Sequence, residues 1–153
     1  MARRGRMIFL VHHADAVGPE VDPQRPLSLS GRMHADLLAQ HALQRGARPV
    51  AIWHSGKLRA RQTAEAFWRV CNPMAEFKAI RGLQPGDPAA WTKDLLTGEL
   101  RDVMLVGHMP SLPKIFSLMT TGNEDEVARF PQHGVVALES DGAVWREAWR
   151  LEQ

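Results

Sequence analysis

The chain has 153 residues, 44% hydrophobic and 24% charged, with a formal net charge of +2. That length buries a real core without disulfides or a structural metal, and the composition excludes disordered and collagen-like classes. Cys71 is the lone cysteine, which excludes an intramolecular disulfide and a cysteine-rich zinc site and fits a reducing cytoplasm.

The basic start, Met1-Ala-Arg-Arg-Gly-Arg, mimics the charged region of a signal peptide. The apolar run behind it, Met7–Val11, is too short for such a peptide or for a membrane span, and it reads as a buried strand. Residues 28–45 read as a helix that starts at Ser28 and stops near Gly46, with Met33, Leu37, Leu38 and Ala42 at helical spacing. Val50–Trp53 is a second strand. The helix after it, residues 57–71, carries one apolar stripe of Ala60, Ala64, Phe67 and Cys71, which makes Cys71 a core residue rather than a reactive thiol.

A weaker strand lies near Phe77–Ile80, and residues 82–88 form a loop by composition. A short helix at Ala89–Leu96 precedes a buried strand at Val103–Val106. Pro110 suits the first turn of a helix whose stripe is Leu112, Ile115, Phe116 and Met119 and whose stop is Gly122. Val135–Leu138 and Val144–Leu151 read as antiparallel closing strands around an Asp141-Gly142 turn.

Strand–helix alternation predicts an α/β three-layer sandwich with a mostly parallel central sheet, built as one domain over residues 1–153. In such sheets ligands bind beyond the carboxyl ends of the strands. Those ends carry His12-His13-Ala14-Asp15, then the stretch from His54 to Thr63, then Gly107-His108-Met109-Pro110. A neutral imidazole can attack phosphorus when cations and hydrogen-bond donors steady the transferring oxygens. His13, Arg59 and His108 supply a nucleophile, a permanent charge and a second imidazole. Arg59 also sits in the first turn of its helix, where free amides favour an anion.

These residues resemble the motifs of the histidine phosphatase superfamily, whose fold is that of phosphoglycerate mutase. Ser55 with Leu58-Arg59-Ala60-Arg61-Gln62-Thr63 is similar to its S-x-x-L-R-A-x-Q-T signature. The strand ending in His13-Ala14 is similar to its R-H-G or R-H-A motif, and Val106-Gly107-His108-Met109-Pro110 to its second histidine motif. Asp22-Pro23-Gln24-Arg25-Pro26-Leu27-Ser28 with Gly31 resembles an element of the SixA-like phosphohistidine phosphatase branch. The resemblance implies that His13 is phosphorylated in turnover and that Arg59 and His108 hold the phosphoryl oxygens. It implies that Arg25 approaches the phosphate and that no metal or other cofactor takes part.

The resemblance also implies a phosphorylated partner: protein phosphohistidine, with a small phosphorylated molecule as the alternative. The dispersed cations indicate no nucleic acid. Where the family has arginine before the nucleophile this chain has His12, which supplies neither a fixed charge nor a two-pronged donor. His12 is therefore expected to bind phosphate in a pH-dependent way, with Arg25 or Lys57 supplying missing charge. It also keeps open a weakly catalytic module that binds a phosphorylated ligand. Asp87 is the candidate general acid for an ester substrate, its alternative being a turn residue. A metal hydrolase built on His12-His13-Ala14-Asp15 lacks a second ligand set of familiar spacing. His34 and His41 read as surface residues, His54 as a packing residue with the cleft as its alternative, and His133 as the start of a late strand with the cleft rim as the lesser alternative.

Overall fold

The computed structural model describes residues 5–126 and 128–152. Arg3 and Arg4 of the basic start lie outside the described residues. The elements run β1 (Met7–His12), α1 (Leu29–Gln44), β2 (Ala51–His54), α2 (Leu58–Cys71), β3 (Glu76–Ala79), α3 (Ala89–Thr97), β4 (Val103–Gly107), α4 (Ser111–Thr121), β5 (Val135–Ser140) and β6 (Trp145–Leu151). Among the described residues no helix is long and apolar enough to cross a membrane.

The sheet order is β3-β2-β4-β1-β5-β6. The first four strands of the chain pair in parallel, whereas β5 runs antiparallel to β1 and β6 antiparallel to β5. β1 and β4 are buried along their whole length, as strands covered on both faces must be. Alternate residues feed opposite cores. Phe9, Val11, Ile52 and Met104 pack with Leu38, Ala64 and Phe67 from α1 and α2. Ile8, Leu10, Trp53 and Leu105 pack with Leu96, Leu112 and Ile115 from α3 and α4.

The stripe on α2 is buried as expected, and the Cys71 thiol donates to the Ala39 carbonyl at 3.6 Å. Burial pushes that thiol up to about 11, which keeps it protonated and inert. The α1 stripe is corrected. Leu38 and Ala42 are buried, but Met33 and Leu37 are 67% and 50% exposed. The buried face is instead Leu38 with Gly31, Ala35, Ala39 and Ala42, and these four small residues let α1 lie close to its neighbours. The helix start is also a tight contact: a Cβ at Gly31 would run into the carbonyl oxygen of Asp15. Ser28 caps α1 by accepting from the Gly31 amide at 3.0 Å. Pro110 is the N-cap of α4, not its first turn, and follows a cis peptide bond.

Candidate active site

β1, β2 and β4 are adjacent and parallel, so their carboxyl ends lie side by side. Beyond them opens a cleft of about 520 Å³ lined by His12, His13, Arg25, Arg59 and His108, with Pro85, Met109, Phe130 and Gln132. The residues expected to share one site therefore do so, with the exception of Asp87. Its carboxylate accepts the amides of Gly82 and Gln84 at 3.1 and 3.0 Å and is not among the residues lining the cleft. It holds the 82–88 loop in shape, which is the turn alternative.

The polar residues of the α2 motif act as tethers. Thr63 Oγ1 accepts the Ala14 amide at 2.9 Å and donates to the Arg59 carbonyl at 2.8 Å. Gln62 Oε1 accepts the Leu27 amide at 2.7 Å. One turn of helix thus fixes the backbone beside His13 and the loop that carries Arg25.

Hydrogen bonds to the backbone set the histidine tautomers. His13 Nδ1 lies 2.7 Å from the Ala14 carbonyl, an acceptor only, so Nδ1 carries the hydrogen and Nε2 keeps its lone pair. His12 Nδ1 accepts the His133 amide at 2.8 Å, so in the neutral ring Nε2 carries the hydrogen. His108 Nε2 pairs with Ser55 Oγ at 2.7 Å, and that oxygen also accepts the Lys57 amide at 3.3 Å. When Ser55 donates to His108 Nε2, the Nδ1–H of His108 is left as a donor.

Burial, chiefly, holds all three rings neutral. It pushes His13 down to about 4, with Arg59 adding to the shift against the Ala14 hydrogen bond. His12 goes down to about 3, with repulsion from His13 and His133 next. His108 goes down to about 3, with His13 and then Arg59 next. Two guanidinium groups oppose them. Arg25 adopts a left-handed φ of 52° and donates from Nε to the Val17 carbonyl at 3.0 Å. Arg59 Nε is buried with no hydrogen-bond partner among the described residues. A buried guanidinium donor left open is costly unless a ligand completes it.

His133 joins the cluster more fully than its place at a strand start suggested. Its Nδ1 donates to the His13 carbonyl at 2.6 Å, and its ring stacks on His12 with centroids 4.8 Å apart and planes 5° apart. The reason is topological: β5 is antiparallel to β1 and pairs Val135 with Val11, so the residues before β5 arrive where β1 ends. His12, His13 and His133 bring ligand nitrogens within 4.8 Å of one another. As hydrogen-bonded, however, they present two lone pairs and one N–H, a poor cation cage. His54 is a packing residue whose Nδ1 accepts the Gly56 amide at 3.0 Å and whose ring lies against Phe77. His41 is exposed as expected, whereas His34 is half-buried.

No protein-family model matches the sequence. An uncharacterised protein of Picosynechococcus sp. is 30% identical over 138 residues, covering 85% of this chain and 81% of that protein. The SixA structure from Agrobacterium tumefaciens is 25% identical, with a TM-score of 0.79 over 99% of this chain and 100% of that one. The structure of the protein histidine phosphatase SixA complexed with tungstate superposes with a TM-score of 0.80 at 20% identity, over 95% of this chain and 96% of that one. The likeness thus extends along nearly the whole length of the chain, which belongs to the histidine phosphatase superfamily, in its SixA-like branch.

Proposed function

We propose that the chain is a phosphatase that works through a phosphohistidine on His13, with protein phosphohistidine as its substrate. The observation that carries this reading is the buried, unpartnered Nε of Arg59 beside three imidazoles held neutral. A tetrahedral oxyanion satisfies Arg59, and a neutral ring is what a nucleophile requires.

The His13 Nε2 lone pair attacks phosphorus and forms an N–P bond. The bond from phosphorus to the substrate nitrogen breaks, and that nitrogen keeps the electron pair and takes a proton from solvent. The ring charge that develops on His13 is steadied by the Ala14 carbonyl, which already holds Nδ1–H. Arg59, Arg25, His12 Nε2–H and His108 supply donors to the phosphoryl oxygens. Water then attacks phosphorus, the N–P bond to His13 breaks, and phosphate leaves.

A nitrogen leaving group is favoured over an alkoxide because no carboxylate stands among the described residues that line the cleft. An ester needs a positioned acid, whereas an imidazole is a far better leaving group. The test compares release of phosphate from a phosphohistidine peptide and from an aryl phosphate, with and without chelator, for wild type and His13→Ala. Chelator-resistant turnover, faster on the peptide and lost in the variant, is expected. Turnover that needs a metal or survives in His13→Ala overturns the reading, and phosphate binding without turnover makes the chain a binding module.

A further inference from the structure

We propose that His12 and His133 form one phosphoryl-binding unit in place of a guanidinium, in which His12 donates as a neutral ring and His133 takes up the charge. The proposal rests on the reading of the cleft as a phosphoryl site and adds where its missing cation resides.

His12 cannot be that cation without breaking a bond. A second proton would have to go on Nδ1, which already accepts the His133 amide at 2.8 Å, and two N–H groups would then face each other. The same hydrogen bond fixes Nε2–H as the donor, so His12 reproduces one prong of a guanidinium and none of its charge.

His133 is placed to supply the rest. Its Nδ1–H is committed to the His13 carbonyl at 2.6 Å, and Nε2 makes no hydrogen bond among the described residues. That nitrogen is therefore free to gain a proton without losing a contact. The ring lies 5.9 Å, centroid to centroid, from that of the nucleophile. Because it stacks on His12, a charged His133 rests on the face of a neutral ring. The backbone is held for this purpose. Among the described residues, Arg25 and His133 are the non-glycine residues with positive φ, at 52° and 54°; Arg25 lines the cleft, and His133 is bonded to His12 and His13, which line it. Such conformations cost energy and concentrate where function demands them.

The groups facing His133 explain why its charge and the ligand arrive together. They are His12 and His13 at the end of β1, His34 on α1, and His108, Arg25 and Arg59 around the cleft. All are neutral or cationic, so none of them pairs with a proton on His133. A bound dianion supplies the opposite charge they lack and draws the proton in from solvent.

Tungstate is a suitable probe, because it is a dianion throughout the neutral range and any proton taken up belongs to the protein. Calorimetric titration in buffers of different ionisation enthalpy counts that proton. His133→Asn keeps the left-handed backbone and the amide bonded to His12, because asparagine tolerates this conformation, but cannot be protonated. About one proton per tungstate is expected for wild type and for His12→Gln, and none for His133→Asn. Histidine ¹⁵N spectra of the wild type provide a second measurement that requires no variant: His133 becomes imidazolium on adding tungstate, and His12 stays neutral with the hydrogen on Nε2.

Tungstate bound without proton uptake overturns the proposal, as does uptake lost in His12→Gln and kept in His133→Asn. Failure of wild type to bind tungstate, or binding indifferent to Arg59→Ala, overturns the phosphoryl reading itself and this proposal with it.

Discussion

Replacing Thr63 by valine removes one hydroxyl from a side chain that is 1% exposed and changes almost nothing in volume. The hydroxyl accepts the Ala14 amide, so the variant leaves a buried backbone donor beside His13 without a partner. Orphaning such a donor costs about 1–3 kcal/mol. For a chain of this size that lowers the melting temperature by about 4–8 °C at a central cost of about 2 kcal/mol. The effect on catalysis should be larger. Ala14 follows His13 directly, and a shift of about 1 Å in a reacting group costs about 100-fold in rate. Urea unfolding followed by tryptophan fluorescence and turnover of a phosphohistidine peptide read the two effects separately. Thr63→Ser keeps the hydroxyl and is expected to retain most of the rate. A Thr63→Val protein that loses less than about 0.5 kcal/mol and turns over normally would refute the tether, because changes that small are what featureless surface sites give.

Arg59→Lys keeps a charge but loses the buried Nε, so tungstate should inhibit about 10- to 100-fold more weakly, the worth of a charge-assisted hydrogen bond; inhibition within threefold contradicts the assignment. Asp87→Ala removes the acceptor for two loop amides. It should therefore cost about 1–3 kcal/mol in urea while kcat stays within threefold; a fall of about 100-fold or more would restore Asp87 as a general acid. Acid should unfold the protein early. His12, His13 and His108 sit at about 3, 4 and 3 in the folded chain against an ordinary 6.5, so below that value the unfolded chain binds more protons. Stability is unaffected above about pH 6.5 and is lost as pH falls towards 4, by about 3 kcal/mol at about pH 5 once the ideal sum is halved for partial exposure and mutual coupling. Urea midpoints that do not move between pH 7 and 5 would contradict the neutral cluster.

Much of this molecule is written in local patterns. The all-apolar runs of β1 and β4, and the stripe of Ala60, Ala64, Phe67 and Cys71, mark elements buried as the pattern requires. His13 and His108 were legible because each follows a strand directly, and Arg59 because it opens the helix after β2; parallel strands bring these carboxyl ends together. The face of α1 was not. Leucine and methionine outweigh alanine in a hydrophobic count, yet close helix packing selects the small residues Ala35, Ala39 and Ala42 and leaves Met33 and Leu37 outside. His133 was hidden for a different reason. Its place depends on β5 lying antiparallel beside β1, a pairing of residues far apart in the chain. Asp87 stayed open between two roles because a carboxylate that caps a loop and one that donates a proton look alike in sequence.

The covalent intermediate tests the central claim most directly. Wild-type protein mixed with a phosphohistidine peptide, quenched in base and analysed by mass spectrometry should carry one phosphoryl group on His13, stable to base and lost in acid. The same label should be absent from His13→Ala. A phosphoryl group on another residue, or peptide turnover with no phosphorylated protein at any time point, would contradict the account.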